Sequence, residues 1–247
     1  MTPKVAVDGL SVRYGDLPVL DDVSLSVAAG EFVSLVGPSG CGKSTLFGAL
    51  AGLLDGATTT GSVTVDGAPV HDAPFGYMPQ GDLLFPWRTV LDNTTLGLEV
   101  AGVGRAEARE RARGLFAPFG LAGFETSRPA ELSGGMRQRA ALLRTVVGGR
   151  EVLLLDEPFG ALDALTRTGM QEWLATMAER FGWTVLLITH DVREAAFLSD
   201  RVVVLSARPA TVSTEVTVGL PRPRSRAQLT DPRTVAVEAE LLETLRA

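Results

Sequence analysis

An α/β fold is predicted for this chain of 247 residues: a largely parallel sheet around a P-loop, a small antiparallel β layer and an inserted helical subdomain. Three observations carry that reading. In the second half, short apolar runs alternate with helix-like stretches, the pattern of strands buried on both faces. Near residue 40 a glycine-rich turn joins one such run to a helix. Alternating β-type runs lie before that turn, and a helical, charged texture lies after it from about 88 to 130.

Residues 4–13 and 23–36 carry alternating or apolar β-type sequence, and Phe32-Val33-Ser34-Leu35-Val36 reads as a buried strand. Leu46 to Ala51 reads as a helix closed by Gly52. Ser62-Val63-Thr64-Val65 leads into the turn pair Asp66-Gly67, which completes the antiparallel layer. Asp92 is placed to cap a helix over Asn93 to Ala101. Arg105 to Phe116, RAEARERARGLF, mixes its charge signs as a solvated helix face does. Val152–Leu155 and Thr184–Thr189 are buried-strand candidates separated by a helix from Leu165 to Phe181, and Val202 to Leu205 is another strand. After Leu220 a polar turn with Pro221 and Pro223 leads to a short helix at about 235–245. The whole chain, 1–247, is expected to form a single domain. Residues 4–87 and 140–220, approximately, are expected to form its core with the β layer, about 88–139 the helical subdomain and 221–247 a C-terminal tail.

Composition narrows the function. Apolar residues make up 45% and the net charge is −6, an ordered globular balance that disfavours a dedicated nucleic-acid binder. The single cysteine, Cys41, excludes an internal disulfide, and two histidines beside it make no zinc-type cluster. The N-terminal residues lack the apolar core of a secretory signal, and no apolar run approaches the length of a membrane span. A cytoplasmic chain that meets a membrane only through a partner is expected.

Residues 37–45 read Gly37-Pro38-Ser39-Gly40-Cys41-Gly42-Lys43-Ser44-Thr45. A glycine-rich turn, a lysine and a hydroxyl between strand and helix form a P-loop, whose N–H groups and helix N-terminus make a nest for phosphate. Lys43 would reach the outer phosphates, and the Ser44 hydroxyl would ligate Mg²⁺. Of 23 basic residues only Lys4 and Lys43 are lysines. A chain that otherwise uses arginine keeps a compact ammonium where a point charge must fit among oxygens. The pattern predicts binding of a nucleoside triphosphate. Cys41 falls inside the nest, so a maleimide on it is expected to block the phosphates, and Mg-ATP to protect it.

Val152-Leu153-Leu154-Leu155-Asp156-Glu157 is an apolar strand ending in two carboxylates, at the edge where open α/β sheets bind ligands. Asp156 suits a water-mediated Mg²⁺ contact and Glu157 a general base that polarises the attacking water. The plainer alternative is a pair of acids that only cap a strand. His190 ends the next apolar strand, where it could sense the γ-phosphate or hold the water.

Leu132-Ser133-Gly134-Gly135-Met136-Arg137-Gln138-Arg139 resembles the signature motif of ATP-binding cassette (ABC) proteins, in that family's order relative to the P-loop and the acidic strand. The resemblance covers about residues 4–210. It implies that Tyr14 is the aromatic residue stacking on adenine and Gln80 the Q-loop glutamine, a further Mg²⁺ ligand. It also implies that Gly160-Ala161-Leu162-Asp163 is the D-loop and His190 the switch histidine. The family's arrangement is a head-to-tail dimer, with Ser133 and Gly135 of one subunit closing over ATP on the P-loop of the other. Read directly, Ser133 and the two glycines after it open a helix, so their hydroxyl and N–H groups are placed to bind a γ-phosphate. Tyr14 as an ordinary strand aromatic and Gln80 as a loop polar residue stay open.

The segment 81–90, GDLLFPWRTV, is either core filling for the helical subdomain or a patch built for a partner. In ABC transporters this region receives the membrane subunit. Pro86-Trp87 with the following RTVLDN, and DEPFGALDALTRTGM over 156–170, look like importers of nitrate, aliphatic sulfonates, taurine and thiamine-precursor pyrimidines. Gly76–Gln80 and Leu142–Thr145 lean toward the last of these. The resemblance thus implies an ATP-hydrolysing importer subunit that uses ATP and Mg²⁺ at the cytoplasmic face of the membrane. Its direct partners are integral membrane permease subunits, at 81–90, and a second copy of itself; a solute-binding protein is an indirect one, and no nucleic acid is expected. DNA-repair ABC ATPases insert a long coiled coil, yet no sustained heptads separate Thr45 from Ser133. A soluble iron–sulfur assembly ATPase or an exporter subunit is the remaining alternative.

Overall fold

A computed structural model of the chain describes residues 2–70 and 75–246. In chain order the first half runs β1 (Val5–Tyr14), β2 (Leu17–Val27), β3 (Phe32–Val36), α1 (Lys43–Leu50), β4 (Thr58–Val65), β5 (Ala68–Pro69) and β6 (Phe75–Met78). The helices α2 (Val90–Thr94), α3 (Leu96–Val100), α4 (Arg105–Phe116) and α5 (Gly134–Val146) follow. Then come β7 (Val152–Asp156), α6 (Ala164–Phe181), β8 (Thr184–Ile188), α7 (Val192–Leu198), β9 (Arg201–Leu205), β10 (Val212–Thr217) and α8 (Pro232–Thr244).

Two sheets result. The antiparallel one has the order β2-β1-β4-β5; Val5 and Val7 of β1 face inward, and a bulge at Gly9, where the pairing register shifts, turns Leu10 and Val12 inward after them. The larger has the order β10-β9-β3-β8-β7-β6, with β10 alone antiparallel to its neighbour. The strands β3, β7 and β8 are buried along their whole length. Helices and the β layer cover both faces, which is why these strands read as unbroken apolar runs. The C-terminal ends of β3, β7 and β8 lie side by side, at the edge that carries the P-loop, Glu157 and His190.

Three expectations need correction. The run 23–36 is two strands, because Gly30 turns the chain at φ 72° and the Glu31 carboxylate accepts from Ala28 N at 2.7 Å. Asp92 caps nothing: Thr89 is the N-cap of α2, accepting from Asp92 N at 3.1 Å. The Asp92 carboxylate instead pairs with Arg109 at 2.6 Å and Arg105 at 3.4 Å, and the Arg109 hydrogen bond lowers its pKa despite partial burial. Finally, α5 runs unbroken across the boundary expected at 139/140. Phe116, Phe119 and Leu121 of the helical region share one core with Leu153, Leu155 and Leu174. The amphipathic reading of α4 holds, with Ala108, Ala112 and Phe116 inward and its charges outward. β6 and β10 had no alternating apolar signal and were not anticipated.

Candidate active site

The P-loop hangs between β3 and α1, and close approach explains its glycines. A Cβ on Gly37 would stand 2.8 Å from the Leu205 carbonyl oxygen; Gly40 and Gly42 have φ of 72° and 122°. Only glycine takes these turns without strain. Lys43 is 8% exposed, and its Nζ donates to the carbonyls of Gly37 at 2.9 Å and Pro38 at 3.0 Å. Among the described residues no carboxylate pairs with this buried ammonium. A buried charge held only by carbonyl dipoles is a site for an incoming anion, so the residues fit a polyphosphate.

On the facing strand ends, Asp156 is 4% exposed and burial raises its pKa, opposed by a hydrogen bond from Ser44. This pair of oxygen donors fits a hard cation such as Mg²⁺. Glu157 has φ 46°, a left-handed conformation that costs roughly 1–3 kcal/mol in a non-glycine residue. Its own N–H, bonded to the Ile188 carbonyl at 3.0 Å, holds the strained turn to β8. The result is that Glu157 Oε2 accepts from Gln80 Nε2 at 3.2 Å and lies 3.3 Å from His190 Nδ1. Residues 80, 157 and 190, far apart in sequence, therefore converge at one point. A cleft of about 810 Å³ joins them to Tyr14, Ser39, Gly40, Lys43, Ser44 and Thr45.

Ser133, Gly134, Gly135 and Asp163 lie outside this cleft. Ser133 caps α5, accepting from Met136 N at 3.3 Å, and Asp163 caps α6, accepting from Leu165 N and Thr166 N at 3.1 Å each. The Thr166 hydrogen bonds lower the Asp163 pKa. The two helix starts pack together: a Cβ on Gly134 would meet Leu162 at 3.3 Å, and one on Gly135 would meet Thr166 at 3.0 Å. Gly135 itself is buried, which leaves the Ser133 hydroxyl as the exposed part of the signature.

Cys41 does not face the phosphates as expected. It is 2% exposed and packs in the core beneath the loop, so it offers the nucleotide only backbone. Maleimide labelling of the native chain is therefore expected to run roughly a hundredfold slower than in denaturant, because it needs local opening. Equal rates in the two conditions would return the thiol to the surface.

Two contacts escaped the sequence reading. Arg208 lines the cleft beside Tyr14, because Ala210 exchanges backbone hydrogen bonds with Val19 and Asp21 of β2, both at 2.9 Å. Arg144 of α5 donates to the carbonyls of Leu83 at 2.7 Å and Asp82 at 2.8 Å, fastening the loop after Gln80 to the signature helix. Neither contact follows a local pattern, and no motif signal could have revealed them.

Known proteins bear directly on this geometry. The ABC transporter family profile matches residues 20–160. An aliphatic sulfonates import ATP-binding protein of Rhodococcus jostii is 47% identical over 237 residues, 96% of this chain and 91% of the relative. A taurine import ATP-binding protein of Yersinia pestis is 45% identical over 208 residues, covering 83% and 81%. A bacterial ABC transporter cassette solved as a dimer matches with TM-score 0.72 and 29% identity, over 86% of this chain and 98% of that one. The same figures hold for a dimeric cassette in a post-hydrolysis state bound to ADP and Pi. With a P-loop, an acidic strand end and a signature helix on one such scaffold, this chain belongs to the ABC transporter family and is one of its ATP-hydrolysing subunits.

Proposed function

We propose that the chain is the energy-coupling ATPase of an importer for a small polar solute of the sulfonate, taurine, nitrate or thiamine-precursor class. It works as a head-to-tail dimer beneath separate membrane subunits, at the cytoplasmic face, with a solute-binding protein as indirect partner. ATP lies with its adenine on Tyr14 and its phosphates in the P-loop, where Lys43 turns from the Gly37 and Pro38 carbonyls to the outer phosphates. Mg²⁺ neutralises phosphate charge when bound, and Ser44, Gln80 and, through water, Asp156 would hold it. Glu157 takes the proton of the attacking water, and His190 orients that water and the γ-phosphate. Ser133 and the N-terminus of α5 close the site from the second copy, and Asp163 completes the contact between copies.

The observation that carries the membrane role is the loop after Gln80. Trp87 is 69% exposed and stacks on Phe85 with centroids 5.1 Å apart. The backbone beneath is rigid: buried Asn93 accepts from Phe85 N at 2.7 Å and donates to Phe85 O at 3.1 Å. An aromatic ledge on a fixed backbone is the anatomy of a binding hot spot. It also lies five to seven residues past Gln80, and the intervening turn at Asp82 and Leu83 is bonded to the signature helix by Arg144, which offers a short route from nucleotide to permease. No helix among the described residues is long and apolar enough to cross a membrane, so contact with the bilayer would come through the partner.

Trp87→Asp is expected to weaken recovery with the co-expressed permease by roughly thirtyfold or more, with ATP binding by the isolated chain unchanged. Equal recovery of variant and wild type on permease-containing membranes would remove the docking role of this loop.

A further inference from the structure

Glu194 on α7 is a carboxyl group that the reaction scheme leaves unused, and it is 4% exposed. A buried acid needs partners, and this one has them on two elements. Its Oε2 accepts from Gln171 Nε2 of α6 at 3.0 Å. The Thr189 hydroxyl accepts from Asp191 N at 3.0 Å, which leaves its proton to the Glu194 carboxylate lining the same small cavity. Thr189 is the residue before His190, and α6 is the helix that Asp163 caps. A small cavity also places Glu194 with Glu157, His190, Arg167 and Asp191. Gln171 can only donate here, and the Thr189 hydroxyl, already an acceptor, has only its proton to offer, so the ionised carboxylate is the form that satisfies this arrangement.

We propose that Glu194 is a positioning residue for ATP hydrolysis: it locks the Thr189-His190 turn to α6 and so sets where His190 stands against Glu157. This rests on the reading of Glu157 and His190 as the hydrolytic pair. Protonation of Glu194 would leave it one strong acceptor fewer for these two donors and loosen the turn. Burial pushes its pKa up to about 7, against the hydrogen bonds from Gln171 and Thr189 and the charge of Arg167, with Asp191 adding to the rise. The other titratable and charged groups facing this region are Arg193 of α7 and Glu238 of α8, paired with each other at 2.8 Å, and Glu157 and His190 across the cavity. Turnover is accordingly expected to climb as the pH rises through about 7.

The test compares the full chain with E194Q and T189V at saturating Mg-ATP from about pH 5.5 to 8.5. E194Q should lose the step near neutrality and turn over roughly tenfold slower at the alkaline end, with KM for ATP within about twofold of wild type. T189V removes a donor to the ionised form, so its step should move to higher pH. Thermal unfolding gives a readout free of activity. Between about 4.5 and 7 the folded chain holds a proton on Glu194 that the unfolded chain has lost, so wild-type stability falls as pH rises across that window. E194Q should gain on wild type there. A variant that keeps the wild-type step, even at lower kcat, or that shows no such gain, overturns the proposal. H190A separates this from the reading beneath it. Full turnover in H190A would remove His190 from the scheme, whereas an inert H190A beside an unaltered E194Q would remove Glu194 alone.

Discussion

Glu157→Gln is expected to bind ATP but to hydrolyse it roughly 10²–10⁴-fold more slowly than wild type, the loss that follows when a general base disappears and its shape remains. The geometry makes this a clean substitution. Glu157 Oε2 sits between Gln80 Nε2 at 3.2 Å and His190 Nδ1 at 3.3 Å. A glutamine oxygen can accept the same hydrogen bond from Gln80, but an amide cannot take a proton from water. The backbone strain at φ 46° is held by the bond to Ile188 and does not change with the side chain. Since the P-loop is untouched, nucleotide affinity should stay near wild type. If hydrolysis is what reopens a closed dimer, the variant should also accumulate as an ATP-bound dimer in size exclusion with Mg-ATP. Turnover within a few-fold of wild type would exclude Glu157 as the base.

The parts of this site that were legible in the sequence are those whose geometry is local. A P-loop is nine consecutive residues, and its glycines are demanded by the turn itself, as the φ of 122° at Gly42 shows. β7 and β8 were legible because burial on both faces leaves an unbroken apolar run that ends where the chemistry begins. Asp163 and Ser133 lie at helix starts that the sequence marks with cap residues. What failed was side-chain direction and non-local packing. Cys41 lies in the right loop, yet the tight turn sends its sulfur into the core instead of the nest. Asp92 has the chemistry of a cap, but Thr89 three residues earlier takes the role and frees Asp92 for Arg109. Glu194, within VREAAFL, carries no local sign of burial; the packing of α6 and the 189–191 turn around it buries it. β10, VSTEVT, is polar at four of its six positions and is recognisable as a strand only once β9 is there to pair with it.

Lys43→Ala is expected to weaken ATP binding by roughly a hundredfold, because it deletes the buried ammonium that, in the proposed site, meets the outer phosphates. Its second use is to decide which signature motif serves which P-loop. Ser133, Gly134 and Gly135 stand apart from the cleft of their own chain, and Ser133 has its hydroxyl exposed on α5. A head-to-tail dimer would bring that hydroxyl onto the γ-phosphate of the other copy. Ser133→Arg should block this contact by bulk while leaving the variant's own P-loop intact. In a mixed dimer of Lys43→Ala with Ser133→Arg, the intact P-loop lies on the Ser133→Arg chain and meets the intact signature of its partner. Both lesions then fall in the other site, and one whole site survives. A dimer of the double variant with wild type carries the same two lesions, but each site receives one of them. Purified on two affinity tags and assayed at saturating Mg-ATP, the first heterodimer should keep measurable hydrolysis while the second falls to the level of the double variant alone. Equal rates in the two would mean that Ser133 does not act across the dimer, and that the signature serves the P-loop of its own chain or none.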